Sequence, residues 1–224
     1  MTHLRLPERS KVASFDVDAQ NTFTPVCPDE LPVAGGTEIV GELNAQARLA
    51  AVRVGSKDAH SPRAVWVADA AHPPLSAIAG RNVDVRWPVH AVPGTRGFEL
   101  IEGLPEPSDY DFFVWKGVEP DMHPYGACFH DLAERLSTGV VEYLKQRGIE
   151  TVIVGGLATD YCVLNTALQL RRAGFGVVVN LAAVRGIAAD TVAAGIERMR
   201  AAGIAFVASS AELEAPSAGA EARA

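Results

Sequence analysis

The sequence predicts an α/β protein, doubly wound, in which a mainly parallel sheet carries helices on both faces. Three observations lead there. Short apolar runs alternate along the chain with stretches of helical periodicity. The clearest runs are β-branched or aromatic throughout, as in strands buried on both faces, rather than alternately polar. Helical stretches close on glycines placed where a left-handed C-cap is wanted.

Taken in order, residues 11–17 (KVASFDV) and 51–57 (AVRVGSK) are short strand candidates of apolar or small residues. Between them, Ile39, Leu43, Ala47 and Ala50 recur at spacings of three and four behind Thr37, a candidate N-cap. Segments 111–115 (DFFVW), 151–155 (TVIVG) and 176–180 (GVVVN) are clearer strands, each ended by turn-formers. Helical stretches 138–147, 160–173 and 190–202 end on Gly148, Gly174 and Gly203. Residues 61–110 hold many prolines and two of the three tryptophans, and read as an irregular excursion over the site with short helices at most. The tail from Ala211 is small and polar, so a single domain over 1–210 and a flexible 211–224 are expected.

Composition bounds the function. A chain of 224 residues can bury one full core. With 48% apolar and 21% charged residues it has the balance of a soluble globular protein. A net charge of −7 and the lack of a basic cluster interleaved with aromatics argue against a nucleic-acid surface. No stretch approaches the roughly 18 apolar residues of a membrane helix. The opening MTHLRLPERSKVASF has no signal-peptide core. Cys27, Cys128 and Cys162 are too few and odd in number for a disulfide framework, so a reducing, cytoplasmic setting is expected.

In parallel α/β sheets, chemistry gathers beyond the carboxyl ends of the strands. Asp18-Ala19-Gln20-Asn21 follows the first strand and Asp58-Ala59-His60 the second. Lys116-Gly117 follows DFFVW, and Gly156-Leu157-Ala158-Thr159-Asp160-Tyr161-Cys162 follows TVIVG. An acid, an acid–histidine pair, a lysine and a cysteine at four strand ends point to one active site.

Cys162 falls in the first turn of a helix with Thr159 or Asp160 near its N-cap, where free N–H groups and the positive dipole end favour a thiolate. The bland alternative is a small hydrophobe packing that turn, the reading given to Cys27 and Cys128. Asp18 could take the thiol proton and return it to a leaving amine. Asp16, two residues earlier, shares its face in an ideal strand, so spacing alone does not choose between them. Lys116, emerging at the sheet edge, would hold a carboxylate and a thiol as anions, unless it is a solvated surface residue. Asp58 and His60 offer two donors to one metal, although an isolated D-x-H is weak. His90 is the preferred third donor, because Trp87-Pro88 and Pro93-Gly94 stiffen its loop; His72, His123 and His130 stand in less constrained contexts. A carboxylate and two imidazoles suit zinc first, with manganese or iron(II) as alternatives.

The segments DAQNTF, VAGG, KDAHSP, WPVHAVPGTRG, WKG and GGLATDYCVLNTAL resemble, in this order, the signatures of nicotinamidases and pyrazinamidases within the isochorismatase-like cysteine hydrolases. The match runs from about Asp18 to Ala183. The resemblance implies six strands in the order 3-2-1-4-5-6. It settles the acid on Asp18, with Lys116 and Cys162 completing the catalytic set and Asp58, His60 and His90 as metal ligands. It implies Phe23 and Trp87 as the aromatic pair around a pyridine ring, a cis Leu157–Ala158 peptide, and oxyanion donors at Ala158 and Cys162. Three positions depart from the family. Thr22 stands where an aspartate is usual, which removes a loop-ordering carboxylate. Trp66 lies in a segment where some relatives have a further histidine, so three protein ligands are the expected count. Ala91 replaces a common cysteine.

The expected activity is hydrolysis of nicotinamide to nicotinate and ammonia through a Cys162 thioester, the metal anchoring the ring nitrogen. The expected partners are a small amide substrate and further copies of the chain in a homo-oligomer, with neither nucleic acid nor membrane. Two alternatives stand beside it: a related cysteine hydrolase acting on a carbamoyl, ureido or biuret-like amide, and a non-enzymatic binding module.

Overall fold

A computed structural model describes residues 3–215 of the chain. Six strands form one parallel sheet: β1 (Val12–Val17), β2 (Val52–Asp58), β3 (Phe112–Lys116), β4 (Thr151–Leu157), β5 (Gly176–Arg185) and β6 (Ala205–Val207). Their spatial order is 3-2-1-4-5-6. The chain therefore winds outward in both directions from β1 and β4, and the crevice between those two carboxyl ends is the place for a site. Every residue of β1 is buried, as befits a central strand covered on both faces.

The two faces are covered unequally. Ala13, Phe15 and Val17 of β1 point to one side and share a core with α2 (Val140–Gln146), α3 (Leu164–Arg172) and α4 (Ala189–Ala201), through Leu144, Ala167, Leu170 and Met199. Ser14, of opposite parity, faces α1 (Val40–Ala47), whose Gln46 donates to the Ser14 hydroxyl at 3.1 Å. Full burial of side chains such as Phe15 and Leu144 contributes about 1.5–3 kcal/mol each. The three expected closing glycines end α2, α3 and α4 at φ of +69°, +99° and +75°.

Several boundaries differ from the sequence reading. Thr37 caps nothing: a 3-10 turn over Gly36–Ile39 precedes α1, which has no side-chain cap. β6, three residues long, carries too little pattern to have been read from the sequence by itself. Residues 59–111 are irregular, as expected, with 3-10 turns at Arg96–Phe98 and Pro107–Asp109. The tail expected to be flexible from Ala211 starts ordered. Leu213 and Glu214 pair in parallel with Leu4 and Arg5, and Leu213 is buried with Leu6 and Val207. Residues 216–224 of that expected tail lie outside the described residues. Among the described residues no helix is long and apolar enough to cross a membrane.

Candidate active site

Register brings the charged groups together. Asp58 and Lys116, each the last residue of its strand, pair directly across β2 and β3. Asp18 lies one residue beyond β1 with φ of +43°, so it no longer follows the strand alternation that had left Asp16 and Asp18 equivalent. Asp16 is held by the Arg53 guanidinium at 2.6 Å and by the Tyr110 hydroxyl at 2.9 Å. Asp18 accepts from the Ser56 hydroxyl at 2.6 Å, and one of its oxygens lies 3.0 Å from Lys116 Nζ.

Lys116 is fully buried, against the surface alternative. Its ammonium pairs with Asp58 as well as Asp18, donates to the Pro124 carbonyl at 3.3 Å, and lies 3.7 Å from Cys162 Sγ. Burial by itself would lower the Lys116 pKa, but Asp18, Asp58 and Cys162 hold it well above the ordinary lysine value. Burial also opposes ionisation of Asp58, yet the Lys116 ammonium overcomes it and holds that carboxyl well below its usual range. For Asp18 burial prevails over Lys116 and the pKa is raised.

Cys162 corrects an expectation. It sits in a π-helical turn, Thr159–Val163, ahead of α3, and is 6% exposed. Burial, with Asp18 and Asp58 nearby, pushes its thiol well above the usual value despite Lys116. Desolvation outweighs the helix end and the lysine, so the resting group is a thiol. One ligand atom each of Asp18, Asp58 and Cys162 lie within 4.8 Å of one another, close enough for the carboxylate to act on that thiol. Asp160 does not cap its own turn. Its carboxylate accepts from the backbone of Ile187 and Ala188 and from the Thr191 hydroxyl, capping the start of α4 instead. Of the other cysteines, Cys128 is buried in the main core and Cys27 is partly exposed. The Leu157–Ala158 peptide is cis.

Beside this group lies an imidazole cluster. His60 directs Nδ1 at the Gly117 carbonyl (3.0 Å) and His90 directs Nδ1 at that of Pro88 (2.8 Å). With each Nδ1 carrying the proton, each Nε2 keeps its lone pair. His60 Nε2 is buried without a hydrogen-bond partner among the described residues and lies 3.3 Å from Asp58. Burial lowers the His90 pKa to about 3, so it is neutral. Gly117 must be glycine here: its φ is +72°, and a Cβ would collide with the His60 ring. The Gln20 side chain pairs with both the N–H and the carbonyl of Asp58, at 2.8 and 2.9 Å, and so fixes the D-x-H segment. Two buried rings, each with its Nε2 free of the Nδ1 contact, beside an ionised carboxylate form a donor set that fits a divalent cation.

A narrow pocket opens onto both groups, with only about 20 Å³ of free space inside it. Phe23, Trp87, His90, Ala158 and Cys162 line it. A larger open groove lined by Lys57, Arg96, Glu99 and Glu106 lies apart from the cysteine and the imidazoles and is not the candidate site.

A family model described as the isochorismatase domain matches residues 13–212. The chain belongs to the isochorismatase family. A nicotinamidase of Acinetobacter baylyi is 33% identical over 190 residues, covering 84% of this chain and 87% of the relative. A solved nicotinamidase pyrazinamidase of Acinetobacter baumanii superposes with a TM-score of 0.83 at 30% identity, covering 91% of this chain and 98% of that one. The pyrazinamidase of Pyrococcus horikoshii, solved in complex with zinc, gives a TM-score of 0.72 at 27% identity over 88% of this chain and 98% of that one.

This isochorismatase domain also contains site residues that sequence reasoning missed. His123, Tyr125 and Tyr161 line the pocket. The Tyr125 hydroxyl accepts from the Trp87 indole at 3.3 Å and donates to Asp84 at 2.7 Å, which fixes the Trp87 ring. Glu30 was also overlooked. The carboxylate expected to be lost at Thr22 is supplied by Glu30, which pairs with the Thr22 hydroxyl and accepts from the Ala91 N–H at 3.0 Å. Ala91 has φ of +50° and follows His90 directly, so this network shapes the loop that presents the imidazole.

Proposed function

We propose that the chain is an amidohydrolase that converts nicotinamide to nicotinate and ammonia, with Cys162 as nucleophile. The observation that carries this reading is the buried Asp18–Lys116–Cys162 cluster, whose Cys162 faces a narrow pocket lined by Phe23 and Trp87. Similarity to nicotinamidases over most of the chain supports the substrate.

Asp18 removes the Cys162 proton as sulfur attacks the carboxamide carbon. Once Asp18 is neutral its repulsion of the sulfur vanishes, and the Lys116 ammonium is left to stabilise the thiolate. At about 4 Å and an effective dielectric near 20 that attraction is worth roughly 4 kcal/mol, and it acts against the burial penalty. The oxyanion is received by the N–H groups of Ala158 and Cys162. Asp18 passes its proton to the departing nitrogen, and ammonia leaves behind a Cys162 thioester. Asp18, again a carboxylate, deprotonates the water that hydrolyses it. Phe23 and Trp87 hold the pyridine ring. Asp58, His60 and His90 would hold a divalent ion, zinc being the first choice, which when bound supplies an anchor for the ring nitrogen.

The test is a panel of amides compared by kcat/KM, with and without a chelator. Nicotinamide and pyrazinamide share a ring nitrogen meta to the carboxamide and are expected to be good substrates. Benzamide and picolinamide are expected to be poor, and ureas poorer. Benzamide equal to nicotinamide would refute the anchoring role, and a preferred ureido substrate would refute the assignment.

A further inference from the structure

His123 stands on the loop after β3, in DMHPYG, and no catalytic step above uses it. Its backbone is clamped on three sides. The His123 N–H donates to the Asn82 carbonyl at 2.9 Å. The Met122 carbonyl accepts from the Trp66 indole at 3.0 Å, and that of Pro124 accepts from Lys116. The ring is thereby driven into the imidazole cluster, 4.9 Å from His60 and 5.9 Å from His90 between centroids, with Trp66 edge-on at 4.4 Å.

The side chain is 3% exposed, and neither ring nitrogen has a hydrogen-bond partner among the described residues. Leaving such a group unsatisfied in the interior is costly, so a buried imidazole with two orphan nitrogens calls for a partner. One ring nitrogen each of His60, His90 and His123 lie within 4.8 Å of one another. Two nitrogens bound to one ion at about 2.0–2.1 Å are at most about 4.2 Å apart, so only small side-chain shifts separate this trio from a shared ion. Trp66, itself fully buried, forms the wall that packs His123 inward.

We propose that His123 is a fourth protein ligand of the divalent ion, beside Asp58, His60 and His90. The proposal rests on the metal reading given above. Three imidazoles and one carboxylate bias the site toward zinc and iron(II) over oxygen-preferring ions such as magnesium. They also leave fewer positions open to water or to a substrate nitrogen.

The test reads metal binding rather than turnover. X-ray absorption of the zinc-loaded wild-type protein is expected to count three imidazoles; two would overturn the proposal. Competition titration of metal-stripped protein with zinc and cobalt(II) is expected to show His123→Ala and His123→Gln weaker by tenfold or more, with a changed cobalt visible spectrum. Wild-type affinity and spectrum in a variant whose circular dichroism is native would equally overturn it. A wild-type protein that binds neither ion would instead refute the metal reading itself, so the two failures are told apart.

Discussion

Replacing Lys116 with methionine isolates the buried charge cluster at nearly constant volume. The lysine is fully buried between Asp18 and Asp58, so its removal leaves two carboxylates without their cation. Breaking a buried pair in this way costs about 3–5 kcal/mol. For a domain of this size 1 kcal/mol moves Tm by roughly 2–4 °C, so Lys116→Met should melt roughly 6–20 °C lower at pH 7. The pH dependence gives the sharper test. In the wild type the raised Lys116 pKa contributes stability that is present below the unfolded value and lost as pH rises through the folded one. The depressed Asp58 pKa contributes stability that is present above its unfolded value and lost as pH falls through the folded one. In the variant both buried carboxyls should lie above their unfolded values, so it gains more stability as pH falls toward 4 than the wild type, in which Asp18 alone is raised. The gap should therefore narrow on acidification and partly close in Lys116→Met/Asp58→Asn. Melting curves of metal-stripped protein between about pH 4 and 8 read this directly. A variant as stable as the wild type at pH 7, or a gap that ignores pH, would refute the reasoning.

Three further outcomes are expected. Because burial raises the Asp18 pKa and catalysis needs its carboxylate, kcat/KM should fall on the acid side at a pH above the ordinary aspartate range of about 3.9; a pH–rate profile with no such limb would count against Asp18 as base. Glu30→Ala removes the acceptor shared by Thr22 and Ala91 and should weaken zinc binding about tenfold, measured by chelator competition; unchanged affinity would detach Glu30 from the His90 loop. Gly117→Ala forces a side chain against His60 at positive φ, and should lower metal occupancy by elemental analysis and Tm by several degrees; a wild-type result would mean that the loop yields easily.

What could be read from sequence and what could not divide along physical lines. Strand and helix order follows from local periodicity, so the alternation of runs such as TVIVG with glycine-closed helices revealed the sheet. Strand-end chemistry was legible for the same reason: Asp18, Asp58, Lys116 and Cys162 each follow a recognisable strand, and parallel packing gathers such ends. The choice between Asp16 and Asp18 was not legible by period, because it depends on the positive φ at Asp18 and on Arg53 from a neighbouring strand. His123 lies on a loop with no regular spacing to His60 or His90. Its anchors, Asn82 and Trp66, come from the irregular segment, and only tertiary structure joins them. Glu30 was hidden likewise, since its partner Ala91 is 61 residues away. The Cys162 environment was misjudged for a different reason. A helix start and a lysine are visible in the sequence, whereas the depth of burial that outweighs them is not.

The central claim is that Cys162 performs the attack on a carboxamide. Ammonia release from nicotinamide by wild type and Cys162→Ala, matched by circular dichroism and metal content, tests it most directly. The account predicts steady release by the wild type and none above the uncatalysed background by the variant, with intact-protein mass spectrometry of acid-quenched wild type placing any nicotinoyl adduct on Cys162. Turnover by Cys162→Ala at a rate near that of the wild type would contradict it.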